Sequence, residues 1–189
     1  MVNNAILKSL ELRQRMLGLQ VSNNYCYLSG SFKTITTFSD SDNFKLPILI
    51  EGRLITSGFY KDAIIGDFNI RDEDIKKSMN SWVGIKLYKD HSAYKKIRIG
   101  EPVPIDMVVG KIVSVSSDKK EPALNFVAEI YDRDVAYKML KGLITFVSVG
   151  FLSDMDSNRN RINIEPKELS LVEIPRDKNA KFNIKKVEY

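Results

Sequence analysis

The chain has 189 residues, 43% hydrophobic and 28% charged, which is globular composition and excludes a disordered or fibrous protein. A net charge of +5 is spread as scattered lysines with no run of five or six basic residues, so nucleic-acid binding has no footprint here. No apolar run reaches the ~20 residues that span a membrane. One cysteine, Cys26, excludes an internal disulfide, and its expected role is that of a small buried hydrophobe. The N-terminus mixes charges into its apolar residues and does not read as a signal peptide. The expectation is a soluble, intracellular protein.

Residues 4–18 read as an amphipathic helix, with Ile6, Leu7, Leu10, Leu12 and Leu17 on or near one face and Gly18 as a stop. This helix either packs on the domain or serves as a docking arm. Residues 22–44 are rich in Ser, Asn, Thr and Asp, and Ser39-Asp-Ser-Asp-Asn43 reads as a loop. The chain therefore divides into a helix-and-linker arm over 1–44 and a compact domain over 45–189. Within the arm, the aromatic-rich stretch 25–38 is the part able to give a strand to the domain.

In the compact part, Pro47–Glu51 and Arg53–Ser57 suggest two extended runs near Gly52 and Gly58. Asp72–Trp82 reads as a helix capped by Asp72, with Ile75, Met79 and Trp82 as its core stripe. Met107–Val115 and Ala123–Ile130 form a hairpin around a polar turn. A short helix follows over 132–141, capped by Asp132 or Asp134 and stopped by Gly142. Leu143–Leu152 is a strand and Ser153–Arg161 a polar loop. Arg161–Glu165 and Glu168–Ile174 are further strands, punctuated by Pro166 and Pro175. Lys181–Val187 alternates as an edge strand. Strand and helix do not alternate regularly. The predicted fold is therefore α+β: a mainly antiparallel β-barrel or strongly curved sheet with peripheral helices.

His91 is the single histidine, closing the run Gly84-Ile-Lys-Leu-Tyr-Lys-Asp-His91. Ser148 is a lone small nucleophile in the apolar strand Ile144-Thr-Phe-Val-Ser-Val-Gly-Phe151. Strand alternation puts Phe146, Ser148 and Gly150 on one face, and Gly150 leaves room beside the hydroxyl. Taken alone, this segment is better explained by a tolerated serine in a half-exposed strand. If its strand runs through, His91 shares parity with Leu87 and Lys89, and its other explanation is a surface residue at a strand end. Glu168 shares a face with Ser170 and is the candidate carboxylate for orienting an imidazole; Ser170 competes with it, and Asp90 is worse placed. With one histidine and one cysteine no metal site is expected, and no cofactor.

The order of these segments adds to what each carries alone. Val109-Gly-Lys-Ile-Val, Leu124-Asn-Phe-Val-Ala, the helix from Asp132 to Gly142, Phe146-Val-Ser148-Val-Gly150-Phe151 and Glu168-Leu-Ser-Leu-Val-Glu-Ile-Pro175 together resemble the tailed-phage prohead proteases. These are capsid maturation proteases related to the herpesvirus assemblins. The resemblance covers about residues 45–188, and His91 falls where that family keeps its catalytic histidine. It departs at Pro175-Arg176, where relatives often carry Pro-Ala, a change in a turn. The resemblance implies a β-barrel with helices outside and a serine endopeptidase. Ser148 would be its nucleophile, His91 its general base and Glu168 its acidic third member. It implies scaffold and major capsid protein precursors as partners, self-cleavage, and action inside the procapsid assembling in the host cytoplasm. Association between copies of the chain is compatible with that role; a specific nucleic acid or a membrane is not implied. Backbone amides near Ser148 or in the 153–161 loop are the candidate oxyanion donors. The alternative is a catalytically silent, protease-like structural or scaffold-binding virion component.

Overall fold

The computed structural model describes residues 25–31, 44–61, 66–91, 93, 96–97, 99–172 and 182–188, the strands at 25–31 and 182–188 by their backbone. The expected helix over 4–18 and the loop over 39–43 lie outside these residues. Strands β1 (Tyr25–Ser31), β2 (Lys45–Thr56), β3 (Gly58–Tyr60) and β4 (Phe68–Ile70) precede helix α1 (Asp72–Lys77). A 3-10 turn at Met79–Trp82 leads to β5 (Lys86–Tyr88), and a second at Ile105–Met107 to β6 (Val108–Ser117). Then come β7 (Ala123–Ile130), α2 (Arg133–Leu140), β8 (Phe146–Met155), β9 (Arg161–Val172) and β10 (Phe182–Glu188).

Eight of the described strands form one sheet in the order β1-β8-β9-β5-β6-β7-β2-β10, and β3 pairs with β4 apart from it. The predicted antiparallel β-barrel is thus corrected. The sheet is open, with β1 and β10 as its edges, and it is mixed because β5 runs parallel to β9. The described residues are mostly sheet with few helices. Alternation within a strand reports which face is buried but not which strand lies alongside or in which direction, so the sequence pattern could not exclude closure. The expected edge strand near the C-terminus is present as β10, which pairs with β2.

Local chemistry explains most of the elements. In β7, Leu124, Phe126, Ala128 and Ile130 alternate inward, and the strand forms the expected hairpin with β6. Around its turn, Asp118 accepts from the backbone amides of Lys120 and Glu121 and from Asn125. These bonds hold its carboxyl at about 2. The two runs expected on either side of Gly52 are one strand, β2, with a bulge between Arg53 and Ile55 that turns both Leu54 and Ile55 into the core. The runs on either side of Pro166 are likewise one strand. Gly150 pairs with Glu168 while Phe151 pairs with Pro166, so Lys167 is the extra residue of a bulge, where a proline is tolerated.

Helix α1 is shorter than predicted and is not capped by Asp72. Arg71 holds the N-cap position in extended conformation, and its guanidinium reaches Asp74 at 2.6 Å. The apolar stripe is as expected: Ile75 and Trp82 are fully buried and Met79 packs against the core. Trp82 donates to Ser78 Oγ at 3.1 Å and meets Phe151 edge-on at 6.4 Å. Helix α2 has its expected cap, with the Asp132 carboxylate accepting from the Val135 amide at 2.9 Å. Gly142 follows it at a φ of 70°.

Gly110, in the middle of β6, is required by close approach. A Cβ there would lie 2.0 Å from the backbone oxygen of Glu129 on β7. Gly110→Ala must push β7 aside in a packed sheet and is expected to cost about 3 kcal/mol or more. Chemical denaturation measures this directly; an unchanged midpoint would mean that the two strands separate freely.

Candidate active site

The candidate residues converge on three neighbouring strands, β8, β9 and β5. In the β8–β9 ladder Ser148 faces Ser170 and Gly150 faces Glu168; in the parallel β9–β5 ladder Ser170 faces Tyr88. Opposed residues share a face, so Ser148, Gly150, Glu168, Ser170 and Tyr88 lie on one side of the sheet. The other side carries Val147, Val149, Leu169, Leu171 and Leu87, all in the main core.

The polar side is buried as well. Ser148, Glu168 and Ser170 are each 0% exposed. A half-exposed strand, the sequence-based alternative for Ser148, is therefore not what the chain builds.

His91 reaches this side by a route that alternation does not give. Strand β5 stops at Tyr88, and His91 sits in a turn three positions on. Had the strand continued, position 91 would lie beside residue 173. Instead the chain folds back, and His91 Nδ1 lies 3.0 Å from Glu168 Oε1. The imidazole is 35% exposed, the carboxylate fully buried. A carboxylate on Nδ1 favours the tautomer with its proton there, which makes Nε2 the basic nitrogen. Of the two candidates for orienting the ring, Glu168 makes the contact. Among the described residues, Ser170 Oγ has no hydrogen-bond partner, and neither does the second carboxylate oxygen, Glu168 Oε2. Ser148 stands diagonally from Glu168 across the ladder, a relation that typically separates the two residues by ~7–8 Å and their Cβ atoms by somewhat less.

Tyr88 is a neighbour that sequence reasoning missed. It is buried yet stands outside the main apolar core, on the Glu168 side. Burial, with the charge of Glu168, pushes its phenol upward. Its parity opposite to Leu87 was the available signal.

One earlier expectation is overturned by distance. The turn between β8 and β9 falls at residues 156–160, eight residues beyond Ser148, or about 26 Å along a strand. That loop cannot supply oxyanion donors to Ser148. Among the described residues no group of three or more His, Cys, Asp and Glu side chains could hold a metal ion. No described helix is long and apolar enough to cross a membrane.

No protein-family model and no curated protein matches the sequence. Among solved structures, the capsid assembly protease gp21 of bacteriophage T4 is similar, with 14% sequence identity and a TM-score of 0.45. The alignment covers 80% of this chain and 99% of that one. A likeness of that degree assigns no activity.

Proposed function

We propose that the protein is a serine endopeptidase, with Ser148 as nucleophile, His91 as general base and Glu168 as the group that orients and stabilises the imidazolium. The observation that carries this reading is the 3.0 Å contact between His91 Nδ1 and a wholly buried Glu168, on the side of the sheet that also bears Ser148. His91 Nε2 takes the Ser148 proton as Oγ attacks the peptide carbonyl carbon. The tetrahedral adduct collapses to an acyl-enzyme, and the imidazolium gives its proton to the departing amine. Water, deprotonated by His91, then attacks the ester and frees Ser148. Because the imidazole is the exposed member, the substrate carbonyl enters over His91. Gly150, with no side chain beside Ser148, leaves room for it.

The substrate class rests on the motif resemblance: scaffold and capsid-protein precursors, cleaved inside the assembling procapsid, with the protease itself as a further substrate. The full burial of Ser148 favours the second reading, a silent protease-like virion component. An active-site-directed fluorophosphonate separates the two. The expected result is a single adduct on Ser148, located by peptide mass spectrometry, together with cleavage of the co-expressed precursor. No adduct and no cleavage would establish the silent component.

A further inference from the structure

Two buried polar atoms beside the His91–Glu168 contact, Glu168 Oε2 and Ser170 Oγ, have no hydrogen-bond partner among the described residues. An orphaned buried polar atom is rare in folded proteins and costly, more so on a carboxylate. These two are complementary. The carboxylate oxygen can only accept, and the hydroxyl can donate. They belong to residues two apart on one face of β9, whose Cα atoms are ~6.6 Å apart in a regular strand. The atoms do not bond directly, and a single water spans a gap of this kind. Ser148, directly opposite Ser170 on β8, offers such a water a third polar neighbour.

We propose that Ser170 is a positioning residue, whose hydroxyl supplies the hydrogen bond of Glu168 Oε2 through one bridging water and so holds Oε1 against His91. Its consequence for turnover rests on the protease reading above; its consequence for the His91–Glu168 pair does not. With Oε2 satisfied, the carboxylate is fixed in place and Oε1 is held against Nδ1. The other titratable groups nearby are Tyr88, which flanks Ser170 on β5, Asp90, in the turn of His91, and Lys89, which is engaged by Asp132 at 2.9 Å.

The single histidine gives an unambiguous probe. Its imidazole is titrated by NMR in the full chain as wild type, Ser170→Ala, Ser170→Thr and Tyr88→Phe. Without the Ser170 hydroxyl the carboxylate is free to swing away from the imidazole, so the titration midpoint in Ser170→Ala should fall by roughly 0.5–1 pH unit. Ser170→Thr keeps the hydroxyl and should restore the midpoint. If the added methyl prevents folding, Ser170→Cys, a weaker donor of similar size, should give an intermediate value. Tyr88→Phe should leave the midpoint in place. In turnover, Ser170→Ala should lower kcat about 10-fold with KM unchanged. A folded Ser170→Ala protein with the wild-type midpoint overturns the proposal, as does a shift that appears in Tyr88→Phe instead. A lowered midpoint in Ser170→Ala, with no peptidase activity in the wild type, upholds the role of Ser170 and sinks the protease reading.

Discussion

Ser148→Ala is expected to lower precursor cleavage by ~10⁴-fold or more, to the limit of detection. The hydroxyl is the proposed bond-forming group, and alanine removes it while leaving the Val147 and Val149 side of β8 in the core. Replacing His91 should cost as much, because nucleophile and base act as one unit; the double variant should be no slower than either single one. The two differ in stability. Ser148→Ala deletes one atom, whereas His91→Ala strips the partner from a carboxylate with no exposed surface. Leaving a buried polar group without its partner typically costs ~1–3 kcal/mol, and here water can already reach the imidazole side of the contact. His91→Gln, which keeps a donor near Glu168 but cannot carry the proton, is the cleaner test of chemistry. Normal processing by Ser148→Ala or His91→Gln would move the activity to other residues.

Glu168→Gln is expected to reduce kcat by about 10²–10⁴-fold with little change in KM. The amide is nearly isosteric, so the buried site stays filled and Nδ1 keeps a neighbour. What disappears is the negative charge that stabilises the imidazolium and enforces the tautomer with Nε2 basic. Steady-state assays on a peptide spanning a mapped cleavage site separate kcat from KM. A wild-type kcat in this variant would remove Glu168 from the proposed triad while leaving the Ser148 and His91 assignments standing.

What could be read from the sequence was set by the range of each interaction. The β6–β7 hairpin, the Asp132 cap and the Gly142 stop depend on residues a few positions apart, and they stand as read. The shared face of Glu168 and Ser170 follows from alternation alone. Partners contributed by distant strands were not legible. The parallel insertion of β5 beside β9 leaves no periodic trace, and so an open mixed sheet read as an antiparallel barrel. Gly52 and Pro166 looked like breaks because their chemistry usually ends strands, yet β2 runs through one and a bulge accommodates the other. Asp72 had the right chemistry for a cap, but Arg71 adopted the cap conformation and turned its charge on Asp74. The burial of Ser148 is a tertiary property: the face of Phe146, Ser148 and Gly150 reads the same whether it is covered or open.

The placement of β5 also dictates when the site comes into being. The β6–β7 and β8–β9 pairings each join strands adjacent in the chain, so they close short loops. Strand β5 has three residues and bridges these two units, antiparallel to β6 and parallel to β9. It carries the histidine to a glutamate 77 residues further along the chain. That closure gains little from the strand itself and depends on both flanking units being in place. The His–Glu pair is therefore a late product of folding. A chain still emerging from the ribosome, or one truncated before β9, holds its histidine without the Glu168 contact, which forms only once β9 has joined β5.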